Sequence, residues 1–198
     1  MYYVFDNINN YSLNDYLDFY NKLKTYDKKK YNFLGYDNDK KLFLLSRMLL
    51  DKLAYKYYSC HYYDLNILYN KYGKPYIKNF HFNISHSHDY TLVAVSDKRI
   101  GVDIEKIRHV DDSVINYVCN DSEKEYVISS ENKNKSFFEL FCLKEAYLKM
   151  IGSTILKLKD TNFIFQKKNI VYKHNNNIKI ILNNELDDYI ITIIEEKD

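Results

Sequence analysis

The chain has 198 residues, 46% hydrophobic and 28% charged, enough for one large core or two small ones packed together, and it does not suit two domains on a linker. Its formal net charge of +2 provides no field that argues for nucleic acid, and 22 tyrosines beside a single proline make an unusual but foldable composition. Cys60, Cys119 and Cys142 stand without paired spacing, which argues against a zinc knuckle or a disulfide framework and suits a reducing compartment.

Met1 to Phe5 reads as a strand, rich in aromatic and β-branched residues, and Met1 to Asn10 lacks the basic start and long apolar run of a signal peptide. Tyr11 to Leu23 is a weak helical pattern, and Lys28, Lys29 and Lys30 form a small basic run that reads as a solvated loop or a phosphate clamp. From Asp39 to Tyr58 the apolar positions Leu42, Leu45, Leu49, Leu53 and Tyr57 recur at helical spacing and predict a buried amphipathic helix. Its apolar stretch is broken by Arg47, Asp51 and Lys52, well short of the roughly 20 residues a membrane span requires. A cytoplasmic protein with no membrane partner is expected.

Leu65 to Tyr69, Phe82 to Ser85 and Thr91 to Ser96 read as strands separated by Tyr72-Gly73-Lys74-Pro75 and by Ser87-His88-Asp89. The second half opens with a strand at Ile100 to Glu105. Helices follow at Asp111 to Tyr117, Ser122 to Ser129 and Lys135 to Ile151, then strands at Asn162 to Gln166, Ile178 to Leu182 and Tyr189 to Glu195. This order predicts an α+β fold of two comparable subdomains, residues 1–99 and 100–198, although no residue-level repeat joins them.

Chemistry concentrates in Gly101-Val102-Asp103-Ile104-Glu105. On a strand, Val102 and Ile104 point one way while Asp103 and Glu105 point the other, roughly 7 Å apart along one face. Two like charges so placed suit a hard divalent ion, or else simply a solvated acidic face. Glu145 and Lys149 lie four apart on a helix whose Phe138, Phe141 and Cys142 share roughly the same side, which makes Glu145 a partly buried carboxylate in want of a cation. Phe82-Asn83-Ile84-Ser85-His86-Ser87 ends a strand in small donors around a histidine able to meet a phosphate, and Lys74 sits in a rigid turn.

Tyr72-Gly-Lys-Pro75, Phe82-Asn-Ile-Ser-His-Ser87, Gly101-Val-Asp-Ile-Glu105 and Lys144-Glu-Ala-Tyr-Leu-Lys149 stand in the order and approximate spacing that resembles the 4'-phosphopantetheinyl transferases, over about positions 72 to 152. The mid-chain Gly-Val-Asp-Ile-Glu resembles the larger, Sfp-like subgroup, in which one chain contains two similar halves as a pseudo-twofold pair. The resemblance implies a monomer that binds coenzyme A between the halves and passes its phosphopantetheine arm to a serine of an acyl or peptidyl carrier protein. It further implies Mg2+ held by Asp103, Glu105 and Glu145 against the diphosphate.

By the same resemblance His86 would contact the diphosphate and Lys149 would be the active-site lysine. Lys74 and one of Lys28 to Lys30 would meet phosphates of the nucleotide portion, and Ser85 and Ser87 would contact the coenzyme by neighbourhood. The general base would be Glu145, directly or through a water, Glu125 in Asp121-Ser-Glu-Lys-Glu-Tyr126, or a metal-bound water. Three positions depart from the family's pattern: Phe141 in place of a tryptophan, Ser153-Thr154-Ile155 after Gly152 in place of a second glycine and leucine, and His88 in place of a glycine. The same acidic and basic groups would also suit a magnesium-dependent phosphohydrolase of nucleotide diphosphates, or a coenzyme-binding module without turnover.

Overall fold

The computed structural model describes residues 1–166, 169–172 and 177–197. The chain begins with strand β1 (Tyr2–Asn7), then helices α1 (Leu13–Lys22), α2 (Thr25–Phe33) and α3 (Asp37–Tyr58), a short hairpin of β2 (Leu68–Tyr69) and β3 (Pro75–Tyr76), and a longer one of β4 (His81–Ser87) and β5 (Tyr90–Ser96). The second half follows the same order: β6 (Ile100–Lys106), α4 (Asp112–Val118), α5 (Asp121–Ser129), α6 (Lys133–Ile151), a small hairpin of β7 (Phe163–Gln166) and β8 (Asn169–Tyr172), and a larger hairpin of β9 (Ile178–Leu186) and β10 (Tyr189–Glu196).

Each half builds one antiparallel three-stranded sheet in which the last strand lies between the first and the penultimate: β1-β5-β4 and β6-β10-β9. The duplication is therefore one of topology, which no residue-by-residue repeat displays. Among the described residues no helix is long and apolar enough to cross a membrane.

Hydrophobic periodicity explains the two long helices. Leu42, Leu45, Leu49 and Leu53 of α3 bury against the first sheet, while Leu140, Leu143, Ala146 and Met150 of α6 belong to the second core. A third cluster joins the halves, with Leu92 and Ala94 of β5, Val102 and Ile104 of β6, and Tyr189, Ile191 and Ile193 of β10. Capping boxes at Ser12 with Asp15 and at Asn120 with Glu123 start α1 and α5.

Two expectations change. The Lys28–Lys30 run lies within α2, a helix whose one buried residue is Asp27, so it has no apolar stripe for a sequence pattern to detect. The strand expected from Leu65 shrinks to Leu68–Tyr69, because Leu65 closes a 3-10 turn at Tyr62–Asp64.

Candidate active site

The site forms where β6, β4 and α6 meet. Gly101 permits that meeting: a Cβ there would stand 1.8 Å from the Ala146 carbonyl oxygen, so α6 packs directly on the β6 backbone. Asp103 then lies under the helix, only 2% exposed, and the apolar partners of its strand, Val102 and Ile104, fill the core on the far side. The acidic face of β6 is thus buried rather than solvated.

Asp103 Oδ1 accepts hydrogen bonds from Lys149 Nζ at 2.6 Å and Ser85 Oγ at 2.8 Å. Asp103 Oδ2 is buried with no hydrogen-bond partner among the described residues. Burial works against the Lys149 ammonium, but the Asp103 carboxylate beside it more than offsets that, so its pKa stands above the usual lysine value. Glu105, half-buried, takes Arg108 Nη1 at 3.0 Å and Ser87 Oγ at 3.4 Å. Its carboxyl is pushed up by burial and by the neighbouring Asp103 charge, against the pull of Arg108. Glu145, half-buried on α6, is also pushed up, first by burial; Lys149 opposes the shift, and Asp103 and Glu105 add to it. The three carboxylates therefore lie within electrostatic reach of one another.

As they stand, no three His, Cys, Asp or Glu side chains among the described residues converge to hold an ion. The donor set nonetheless fits a hard divalent cation: all ligand atoms are carboxylate oxygens, one of them is buried without a partner, and mutual repulsion opposes ionisation of Glu105 and Glu145.

Positive groups continue away from this acidic end into the first half. His86 is exposed near the end of β4, on the face that carries Phe82 and Ile84, its imidazole held below the usual histidine range by the surrounding protein, then by Lys149 and Arg47. Arg47, on α3, stacks its guanidinium 3.7 Å above the Phe43 ring and donates to Ser46 Oγ at 2.7 Å, while its buried Nε has no partner among the described residues. Lys30 is lowered by its surroundings and by Arg47. Lys30 and His86 each feel the charge of Arg47, and His86 also feels that of Lys149, which is hydrogen-bonded to Asp103. Arg47 was not singled out from sequence as a site residue, although it is the charge that first interrupts the apolar run of α3.

Lys28 faces another way, donating to the Asn21 carbonyl at 3.0 Å and lying 5.3 Å from the Tyr20 ring. Lys74 follows the β2–β3 turn and donates to the Met150 carbonyl at 3.1 Å, near the C-terminus of α6, where burial and then Arg99 bring its pKa down to about 8. Asn70 of the same turn donates to the Gly152 carbonyl at 2.9 Å, so the turn is docked on the second half. Glu125 is exposed on α5 and makes no hydrogen bond or ion pair among the described residues. The buried carboxylate of α5 is Glu123, paired with Lys144 at 2.6 Å with both side chains 0% exposed. Lys144 Nζ also donates to the Val118 and Leu158 carbonyls, and Glu123 accepts from the amides of Asn120 and Phe163, which makes the pair a fully satisfied structural tie.

His88 adopts φ +51°, the left-handed turn that a glycine would otherwise supply; Gly152 closes α6 at φ +67°; and Phe141 stacks on Phe137 with centroids 5.8 Å apart. A groove of about 400 Å³ between α1 and α3, lined by Tyr11, Asp18, Lys22 and Lys52, contains none of the site residues.

Residues 99–194 match the model of the 4'-phosphopantetheinyl transferase superfamily, and residues 10–98 match that of the 4'-phosphopantetheinyl transferase N-terminal region. The chain belongs to the 4'-phosphopantetheinyl transferase superfamily. Its relatives in that superfamily include the 4'-phosphopantetheinyl transferase gsp of Aneurinibacillus migulanus, 32% identical over 75% of this chain and 65% of that protein. The transferase psf-1 of Bacillus pumilus is 36% identical over 42% of this chain and 38% of that protein. The transferase Sfp of Bacillus subtilis strain 168 is 27% identical over 55% and 51%, respectively. The chain spans less than two thirds of the length of each of these relatives.

Proposed function

We propose that this phosphopantetheinyl transferase superfamily member moves the 4'-phosphopantetheine arm of coenzyme A to a serine of an apo acyl or peptidyl carrier protein, releasing adenosine 3',5'-bisphosphate. The observation that carries the reading is Lys149 hydrogen-bonded to Asp103 close to the Glu105 and Glu145 carboxylates, with His86 and Arg47 of the first half within electrostatic reach. A ligand that carries phosphates suits acidic groups and cations so combined, and coenzyme A, with its 3'-phosphate and its diphosphate, is one. The names of the relatives support the same choice.

In this reading the first half, residues 1–99, supplies the nucleotide-binding cations and the second, residues 100–198, the acidic centre. Lys30 and Arg47 meet the 3'-phosphate region, Lys74 another phosphate, and His86 and Lys149 the diphosphate. Asp103, Glu105 and Glu145 would hold Mg2+. When bound, the ion would neutralise the diphosphate and stabilise the charge on the leaving phosphate. Lys149, now hydrogen-bonded to Asp103, would offer its ammonium to the leaving oxygen. Glu145, directly or through a water, would take the proton lost by the carrier serine hydroxyl. Both halves of the centre come from one chain, so a monomer suffices.

Incubation with coenzyme A, Mg2+ and apo carrier proteins, followed by intact-mass measurement, should show the added arm. Absence of any gain across acyl and peptidyl carriers would overturn the proposal, and coenzyme A hydrolysis at a comparable rate without carrier would point to the phosphohydrolase. If Glu125→Gln rather than Glu145→Gln stops turnover, the base is misassigned.

A further inference from the structure

Between the two sheets, β4 and β6 run side by side, and polar side chains take the place of a backbone ladder. Asn83 Oδ1 accepts the Val102 amide at 2.8 Å, Ser85 Oγ the Ile104 amide at 3.4 Å and Ser87 Oγ the Lys106 amide at 3.2 Å. Alternate residues of β4 thus address alternate amides of β6, a comb with a two-residue period on both strands.

Two teeth of this comb also touch the acidic centre. Ser85 Oγ donates to Asp103 Oδ1 at 2.8 Å and accepts from Lys149 Nζ at 3.0 Å. A serine hydroxyl has one hydrogen to donate and two lone pairs to accept with. The Ile104 amide, Lys149 and Asp103 occupy all three, so the hydroxyl has nothing left for a phosphate. Ser87 Oγ likewise donates towards Glu105 Oε2 at 3.4 Å while accepting the Lys106 amide. Each serine is anchored to the amide that follows the carboxylate residue it contacts, so the register of β4 against β6 fixes where each carboxylate oxygen points.

We propose that Ser85 and Ser87 are positioning residues for the metal carboxylates, acting through Asp103 and Glu105, and are not contacts of the coenzyme. Ser85 engages Oδ1 of Asp103 and leaves the buried, unpartnered Oδ2 as the oxygen available to the ion. This rests on the metal reading given under the proposed function. Loss of a group that orients a ligand typically weakens metal affinity or activity by about 10–100-fold.

The test uses the full chain and its Ser85→Ala, Ser87→Ala, Ser87→Thr and Asp103→Ala variants. Mn2+ affinity is measured by calorimetry without coenzyme, the coenzyme A KM at saturating metal by transfer assay, and the fold by thermal melting without metal. Ser85→Ala and Ser87→Ala should each weaken Mn2+ binding about tenfold or more, with the coenzyme A KM within twofold of wild type, and Ser87→Thr, which keeps a hydroxyl, should recover most of the affinity. Unchanged Mn2+ affinity with a raised coenzyme A KM would make the serines coenzyme contacts and overturn the inference. A lowered melting temperature with unchanged Mn2+ affinity would make the comb purely structural and overturn it as well. If wild type and Asp103→Ala bind Mn2+ equally, the metal reading itself falls and takes this inference with it.

Discussion

Replacing Gly101 with alanine would place a methyl group 1.8 Å from the Ala146 carbonyl oxygen and 2.7 Å from the Met150 amide nitrogen, both of them backbone atoms of α6 that no rotamer change can move aside. Starting from 1.8 Å, ordinary contact at 3.4 Å requires helix and strand to separate by about 1.6 Å. Glu145 and Lys149 flank these clashing atoms on the same helix. If the separation fell along the Lys149–Asp103 contact, its 2.6 Å would open to about 4.2 Å, beyond hydrogen-bond reach. Misplacing a catalytic group by about 1 Å costs on the order of 10²-fold in rate. Overpacking a tight interface costs about 1–3 kcal/mol of stability, which at roughly 2–4 °C per kcal/mol for a chain of this size lowers Tm by about 2–12 °C. The assay is the rate of arm transfer to an apo carrier beside a thermal melt, with Gly35→Ala as control because a Cβ there meets nothing within 4 Å. A Gly101→Ala enzyme within threefold of wild-type rate and with an unchanged Tm would refute the claim that this close approach sets the site.

Arg47→Ala should raise the coenzyme A KM about tenfold, corresponding to about 1.4 kcal/mol, with a smaller change in kcat; the reverse split in steady-state kinetics would place Arg47 at the reacting atoms instead. Lys144→Met should leave the buried Glu123 carboxylate unpaired and cost about 3–5 kcal/mol in a denaturant melt, and a loss below 1 kcal/mol would contradict the structural role given to the pair. Lys74 is a cation whose folded pKa, about 8, lies below its ordinary value, so its charged form destabilises the fold fully below pH 8, and that penalty shrinks as pH rises towards the unfolded value of about 10.5. Lys74→Met should therefore be more stable than wild type at pH 7, with the advantage narrowing in melts between pH 8 and 10; a constant difference would show that Lys74 is not depressed.

Most of the architecture was legible because α3 and α6 have sustained apolar periodicity and because β5, β6 and β10 carry β-branched runs. Asp103, Glu105, Glu145 and Lys149 were legible by spacing and by resemblance, but their pairing was not. Lys149 reaches across to Asp103 on β6, and an intrahelical spacing of four cannot reveal a partner 46 residues away. Arg47 escaped notice as a candidate site residue because its nearness to His86 depends on how α3 packs on the first sheet, a tertiary fact. The adjacent residues Lys144 and Glu145 face different environments that their positions in sequence do not reveal, the first sealed against Glu123, the second close to Asp103 and Glu105. α2 went unseen because helix stripes are detected by what they bury, and its one buried residue is an aspartate.

The comb of Asn83, Ser85 and Ser87 also makes the halves mutually dependent. Each sheet has only three strands, and β6 is the outer strand of its own. Cut away from residues 1–99, it would expose the amides of Val102, Ile104 and Lys106 on a strand whose Val102 and Ile104 have also lost Leu92 and Ala94 from their packing. An unprotected edge of that kind recruits other strands. The second half expressed alone should therefore self-associate, although it contains every acidic residue of the site, and recovery of a monomer should require the first half to be supplied in trans.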